Sequence, residues 1–209
     1  MAAYPVTVDV DPVLTNRNRL TTGLRMFLAI PHVIIVGGVG IGVATQTDGQ
    51  TSLASESGLL GAVAIALAIV SWFTIVFAGN HIPGIRRITL FYLQWRVRAL
   101  AYLMLLEDAY PPFGDGRYPV RLEVADPPRP RNRMTVIFRP LLVVPHYVVL
   151  FFVFVAWSVA TIVAWFAILF TGTYPASLYG FGAGALRWRL RVEAYTLLLV
   201  DEYPPFSLK

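Results

Sequence analysis

The sequence contains no cysteine, three histidines and few charged residues. The absence of cysteine excludes disulfides, thiolate metal sites and a cysteine nucleophile. Charged residues make up 14% of the chain, whereas soluble domains carry about 25%. The sequence has no phosphate-binding loop, no nucleophile triad and no metalloprotease helix. We therefore predict a protein that is not an enzyme, and the lack of a separate basic domain predicts no nucleic-acid partner.

Apolar residues are abundant in this chain. They make up 56% of it, the mean hydropathy is +0.62, and they gather in long uncharged runs. Such runs are typical of membrane proteins. The net charge is +5, and arginines flank the apolar runs. This pattern favours anionic lipid headgroups as partners. The segment Met1–Val6 lacks the charged and apolar regions of a signal peptide.

An internal duplication organises the chain. The motif Arg-Asn-Arg-x-Thr begins at Arg17 and again at Arg131, about 114 residues later. Pro31-His32 likewise recurs as Pro145-His146. Further matches are Trp72-Phe73 with Trp165-Phe166, Trp95–Arg98 with Trp188–Arg191, and Tyr110–Phe113 with Tyr203–Phe206. These matches predict two tandem units, residues 1–114 and 115–209.

The first unit contains two runs long enough to cross a bilayer. Leu24–Ala44 and Leu59–Ala78 each approach the roughly 20 residues that a crossing needs. The next segment, Ile85–Glu107, carries Arg96 and Arg98 near its middle. An arginine at bilayer depth costs about 2.5–3.5 kcal/mol on insertion scales. We therefore expect this segment to be an amphipathic helix on the membrane surface.

The second unit has a shorter apolar region, residues 140–170. It is slightly too short for two full crossings, so either one long helix or a tight hairpin is possible. Arginines precede and follow it, and positively charged flanks favour the cytoplasmic side. That argument favours a hairpin turning near 155–160. The prediction is then four membrane crossings, with both units running in the same direction about an axis along the membrane normal and both termini in the cytoplasm.

Two short segments alternate apolar and polar residues. They are residues 4–11 and 118–124, one at the start of each unit. This period of two predicts strands. Each strand is too small to be stable alone, so we expect them to pair with each other or to lie on the helices; extended linkers are the alternative. The predicted fold class is an all-α integral membrane protein, in which each unit has a short cytoplasmic strand, a two-helix hairpin and an interfacial helix.

Two pairs of arginines are the first candidate site. Residues two positions apart on a helix point about 200° apart, so one arginine of each pair faces the bilayer whichever way the helix lies. That arginine must snorkel, pair with an acid, or hold something anionic. Glu193, one turn after Arg189, could pair with it, whereas Leu100 stands at the matching place in the first unit. The candidate lipid-binding residues are Arg96, Arg98, Arg189, Arg191, Trp95 and Trp188.

Two histidines and two aspartates occupy matching positions in the two units. If His32 and His146 faced each other, they could ligate a haem or a pigment. The alternative is a polar side chain beside a helix kink, and our leading expectation is no cofactor. Asp108 and Asp201 are expected to meet nearby arginines, because acids at a helix C-terminus are disfavoured; a metal site has only unspecific spacing in its favour. The expected arginine partners are Arg17, Arg19, Arg131 and Arg133.

These repeated motifs resemble a bacterial membrane family known as domain of unknown function 4389. The resemblance covers nearly the whole chain, once per unit, and departs at Gly79–Pro83, where one extra residue precedes the proline. It implies an integral membrane protein and no assigned activity or cofactor.

Three functions follow from these features. The leading expectation is a non-enzymatic accessory or scaffold subunit of a larger complex in the bacterial plasma membrane, with other membrane subunits as partners. The second is a protein that binds or transports lipids or small solutes through the interface between the units. The weakest is a haem- or pigment-binding subunit.

Overall fold

The computed structural model describes residues 4–38, 46–47, 50–51, 54–127 and 131–209, with the backbone alone at 46–47, 50–51 and 54–57. Residues 39–44, at the end of the first predicted crossing, lie outside the described residues. The elements are β1 (Val6–Asp9), α1 (Arg19–Val36), β2 (Gln46–Thr47), β3 (Gln50–Thr51), α2 (Ala54–Ala78), α3 (Pro83–Leu103), β4 (Arg121–Val124), α4 (Arg133–Thr171) and α5 (Ala176–Thr196).

The predicted strands pair with each other. β1 and β4 are antiparallel, with Val6 opposite Val124 and Val8 opposite Leu122. Val6, Val8 and Leu122 are buried in the same core as residues of α3 and α5. Side chains on the other face, such as Thr7 and Glu123, are exposed. The sheet therefore covers α3 and α5 with its apolar face and presents a polar face outward.

The helices α3 and α5 form the core and are not surface helices, so that prediction was wrong. Leu93 and Leu100 in α3, and Leu186 and Leu190 in α5, are completely buried. β1 and β4 pack on one side of this helix pair, and α1, α2 and α4 pack on it from elsewhere. The prediction failed because it assumed that arginines need water. Here their charges meet a carboxylate and carbonyl groups inside the protein.

The predicted hairpin in the second unit is also absent: α4 is one helix of 39 residues. Its length is about 58 Å at 1.5 Å per residue. Pro140 and Pro145 lie within it, and the proposed turn region, 155–160, contains neither glycine nor proline to end it. Only one narrow stripe of α4 is buried, at Val136, Arg139, Val143, His146, Leu150, Phe154, Trp157, Ala160, Ala164 and Ile168.

The first two helices lie end to end, so the hairpin predicted for the first unit is wrong as well. The Trp165 indole donates to the Thr22 carbonyl (2.9 Å), and the Trp72 indole donates to the Val136 carbonyl (2.9 Å). Val136 and Trp165 are 29 positions apart on α4, which is about 44 Å. The start of α1 and the end of α2 are therefore at opposite ends of α4.

The junction between α1 and α2 is tight. A Cβ atom on Gly58 would lie 2.6 Å from the Ile35 carbonyl oxygen. Gly37 (φ 80°) and Gly58 (φ 70°) both adopt left-handed φ values, which let the chain leave α1 and start α2 at one point. We call the two helices, residues 19–36 and 59–78, the α1–α2 rod. It runs antiparallel to α4, and a tryptophan near the end of each donates to a carbonyl near the start of the other.

Candidate functional site

The repeated Arg-Asn-Arg-x-Thr motif starts α1 and α4. The Asn18 side chain accepts a hydrogen bond from the Thr21 amide (3.1 Å). Asn132 accepts from the amides of Met134 (3.1 Å) and Thr135 (3.3 Å). Each asparagine is thus the N-cap of its helix and satisfies amides that the first turn leaves unpaired.

Two buried arginines meet one aspartate at the end of the molecule near the start of α1. Arg17 and Arg25 lie 2.9 and 2.6 Å from Asp108. Arg25 also donates to the carbonyls of Tyr102 (3.1 Å) and Glu107 (2.7 Å). Tyr102 lies in the last turn of α3 and Glu107 follows that helix, whose C-terminal dipole favours a positive charge. Arg25 therefore holds the end of α3 against α1.

The second unit repeats this cluster. Arg131 and Arg139 lie 2.6 and 2.9 Å from Asp201, and Arg139 donates to the carbonyls of Tyr195 (2.9 Å) and Val200 (2.8 Å).

The expected pairs Arg17–Asp108 and Arg131–Asp201 are confirmed. The guanidinium groups of the other two expected partners, Arg19 and Arg133, lie instead beside Gly172 and Gly79.

Sequence reasoning missed Arg25 and Arg139 as partners of these aspartates. The signal that could have found them is their recurrence at matching positions inside otherwise apolar helices. A buried charge in such a place needs a partner.

A buried carboxylate joins the two units at the centre of the molecule. The Glu193 carboxylate lies 3.0 Å from Arg96 and 2.6 Å from Arg189, so the expected Arg189–Glu193 pair is confirmed. Arg96, which has Leu100 one turn later where the second unit has Glu193, also donates to the Val36 carbonyl. Burial alone would raise the pKa of Glu193, but the two guanidinium groups outweigh it and lower that pKa below its ordinary value.

The other predicted lipid-binding residues also bond within the protein. The indoles of Trp95 and Trp188 are buried. Arg98 donates to the Gly114 carbonyl (2.9 Å), and the Arg191 guanidinium lies 5.7 Å from the centre of the Tyr4 ring. The structure therefore directs these side chains toward protein groups.

Each histidine lies in an aromatic pocket of its own unit. Trp95 donates to Nδ1 of His32 (3.0 Å), and the Phe113 ring stacks on the imidazole at 4.5 Å. Trp188 donates to Nδ1 of His146 (3.3 Å), with Phe206 stacked at 3.9 Å. The Tyr-Pro-Pro-Phe motif thus covers the histidine of its unit. The structure does not bring the two imidazoles into one shared site.

The described part of the chain contains no group of three or more histidine, aspartate or glutamate side chains arranged to hold a metal ion.

Comparisons with known proteins agree with the duplicated motifs. No curated protein and no solved structure matches the chain. One family profile, described as a domain of unknown function (DUF4389), matches residues 56–114 and 133–207. These two segments cover more than half of the chain and are consistent with tandem copies. The chain therefore belongs to the DUF4389 family.

Proposed function

We propose that this protein is a non-enzymatic accessory or scaffold protein embedded in a membrane. The observation that carries the proposal is the apolar outer surface of α1, α2 and α4. Each of these helices is long and apolar enough to cross a membrane, and each buries less than a third of its most apolar stretch in the protein. Large apolar side chains cover the rest, Phe27, Phe77 and Phe170 among them, each more than 70% exposed. Surfaces of this size and composition need lipid or a partner protein.

The length of this surface argues against an upright orientation. The exposed apolar side chains of α4 extend from Met134 to Phe170, a distance of about 54 Å. The hydrocarbon core of a bilayer is only about 30 Å thick. An upright α4 would therefore leave nearly half of its apolar surface in water.

The polar face of the β1–β4 sheet supports the same conclusion. Asp9, Arg121 and Glu123 are exposed on it. The sheet packs on α3 and α5, and it meets the middle of α5, where the Arg187 side chain donates to the Val8 carbonyl (3.2 Å). If α4 stood upright, these charges would face lipid at bilayer depth, each at a cost of a few kcal/mol.

We infer a flat orientation. The α1–α2 rod and α4 lie in the plane of one leaflet, and the sheet faces water. An approximate twofold axis that relates the two units then lies along the membrane normal. Both chain termini then lie on the same aqueous side, as the sequence predicted, although the helices do not cross the bilayer. Where lipid does not cover the apolar sides of the α1–α2 rod and of α4, other membrane proteins would bind.

Single cysteines test the orientation, since the native chain has none. Gly84 and Ser177 are matching exposed positions near the starts of α3 and α5, at opposite ends of α4. A Cβ at Gly84 meets no atom within 4 Å, so Gly84→Cys and Ser177→Cys leave the fold intact. A membrane-impermeant maleimide should label both from the same side. Labelling from opposite sides would establish an upright protein and contradict the flat orientation.

A separate measurement tests the scaffold function. Purification of the native protein in mild detergent, followed by mass measurement of the intact complex, should recover defined partner proteins in fixed ratio. A monomer that carries only phospholipid would contradict the scaffold function and favour the lipid-binding alternative.

A further inference from the structure

A basic cavity lies where the end of α2, the start of α3, the segment after β4 and the start of α4 meet. Its volume is about 360 Å³. It is lined by polar side chains of Asn80, His81, Arg86, Arg87, Asp126 and Arg131. None of the lipid-binding residues that the sequence predicted lies in it.

Three buried nitrogens at this cavity have no hydrogen-bond partner within the described structure. They are Nη1 of Arg131, Nε of Arg86 and Nε2 of His81. The side chain of Arg131 is only 2% exposed, and its other nitrogens are engaged by Asp201 and by the Leu198 carbonyl. A buried donor without an acceptor costs about 1–3 kcal/mol. Nη1 of Arg131 is therefore a buried donor available to a bound group.

At the opposite end of the molecule, around Arg17, protein groups fill the space that corresponds to this cavity. We call the surroundings of Arg17 and of Arg131 the two corners of the molecule. Arg17, the counterpart of Arg131, donates its Nη1 to the Val13 carbonyl (2.8 Å). The Tyr174 ring lies 5.8 Å from its guanidinium, and the Tyr179 hydroxyl donates to the Asp11 carbonyl (3.2 Å). The Val13 carbonyl and the two tyrosine side chains thus occupy the corner around Arg17.

In the first unit, Arg86 stands at the position of Tyr179. The amide of each bonds to the N-cap carbonyl of its helix, Ile82 for Arg86 (3.1 Å) and Pro175 for Tyr179 (3.0 Å). By the same register, His81 replaces Tyr174. Histidine and arginine thus occupy the places of two tyrosines, and a polar cavity results.

The charges around the cavity leave a positive excess. Arg86 pairs with Asp126 at 3.0 Å, but Asp126 is 86% exposed, and exposed pairs of this kind are weak. Arg131 shares Asp201 with Arg139. Among the described residues Arg87 has no ion-pair partner. The count is therefore four arginines, Arg139 included, against two aspartates, Asp126 and Asp201. The start of α3 adds backbone amides, because Ile82 caps it without a side-chain hydrogen bond.

We propose that this cavity binds a phosphate group. Guanidinium groups and helix-start amides are the donors that phosphate oxygens prefer. The source is either the phosphodiester of a lipid headgroup or a free phosphate anion. Phe77 and Ile82 are exposed and lie within three positions of the lining residue Asn80 in the sequence, so a headgroup bound there has apolar surface for its acyl chains. Only the lipid source rests on the proposed membrane location.

His81 makes the binding pH-dependent. Its Nδ1 lies 3.0 Å from the Ile82 carbonyl, which only accepts, so Nδ1 carries the proton and neutral Nε2 has none to donate. Burial lowers the pKa of His81, and the nearby charges of Arg131 and Arg86 lower it further, although the bond to Ile82 opposes this. A bound anion favours the protonated imidazole. Affinity for a phosphodiester should therefore rise as the pH falls. The other charged groups that line the cavity with His81 are Arg86, Arg87, Arg131 and Asp126.

Calorimetric titration of the full chain in detergent tests the proposal. The probes are inorganic phosphate, and nanodiscs of phosphatidylglycerol compared with phosphatidylcholine. Arg86→Tyr, which gives this corner the residue of the other unit, and Arg87→Gln should each weaken binding about tenfold to hundredfold. Arg117→Gln removes one positive charge from an exposed position on another surface and should bind like the native protein.

The outcomes separate the sources and can overturn the proposal. Saturable binding of inorganic phosphate identifies a free-anion site, and preference for phosphatidylglycerol without phosphate binding identifies a headgroup site. The proposal fails if neither probe binds, or if Arg86→Tyr and Arg87→Gln bind as the native protein does. Far-UV circular dichroism and thermal unfolding of each variant distinguish a lost site from a lost fold.

Discussion

The two ends of this molecule are built from matching residues, yet one is closed and the other holds a cavity. At both ends an arginine pairs with an aspartate and donates to the carbonyl of a leucine in left-handed conformation, Leu105 or Leu198. The ends differ in what fills the remaining space: two tyrosines at one, His81 and Arg86 at the other. A few residue differences at a corner that both units share therefore replace a structural contact with a candidate anion site.

The centre of the molecule shows a second difference between the halves. The α1–α2 rod is interrupted and offers the Val36 carbonyl to Arg96. α4 is continuous at the matching place, and its unit supplies Glu193 instead, where the first unit has Leu100. Each half thus contributes a different partner to Arg96: the first half gives the Val36 carbonyl and the second half gives the Glu193 carboxylate. The following sequence changes test this difference between the halves, and each should lower the free energy of unfolding less than the one before it.

Removing the shared carboxylate should have the largest effect. Glu193→Gln removes the carboxylate that the buried Arg96 and Arg189 share, and breaking such a buried pair costs about 3–5 kcal/mol. We expect the free energy of unfolding in detergent to fall by that amount. Glu202→Gln, the same chemical change at an exposed position, should change it little.

The same carboxylate gives a pH test. Because the pKa of Glu193 is lowered in the folded protein, its stabilisation is present above the ordinary glutamate pKa and is lost as the pH falls through the lowered value. The native protein should lose more stability on acidification than Glu193→Gln. Equal losses would mean that Glu193 is not ionised in the folded state.

Making the rod continuous should have an intermediate effect. Deleting residues 37–57 joins α1 to α2 in the manner of α4, and the Val36 carbonyl then bonds within the helix instead of to Arg96. Loss of a hydrogen bond to a charged group costs about 1.5–3 kcal/mol, measured as the free energy of unfolding. Deleting only 42–55 keeps Gly37 and Gly58 and should cost less, since loop length matters little. Equal costs would rule out a role for the break in holding Arg96.

The helix caps should have the smallest effect. Asn18→Ala and Asn132→Ala each remove an N-cap, which costs about 1 kcal/mol of stability. Because the two caps are matched, their effects on the unfolding free energy should agree closely. A cost confined to one of them would show that the two helix starts are not equivalent.

Several contacts could be predicted because their partners have recognisable local signals. The strand pairing follows from two period-two segments, and the Arg189–Glu193 pair follows from helical spacing. The pairing of Asp108 and Asp201 with arginines follows from their place at helix ends. The cavity around Arg131 had no such signal, because its lining comes from four separate segments.

The hairpins were predicted wrongly for a related reason. The sequence argument treated each apolar run as a crossing and each arginine as a group that must reach water. The end-to-end stacking of α1 and α2 depends on the contact of Trp72 with α4 and on the contact of Trp165, in α4, with α1. Each contact joins residues more than 60 positions apart along the chain. No local pattern carries that information.

The duplication, the apolar character and the two strands can be predicted from the amino-acid sequence, because periodicity and composition act over a few neighbouring residues. Tertiary packing established which helices are buried, how the α1–α2 rod and α4 run and where the basic cavity lies. It did so because a buried guanidinium group is stable wherever the fold brings a carboxylate or a free carbonyl within hydrogen-bonding distance, and that distance is a property of the packed chain.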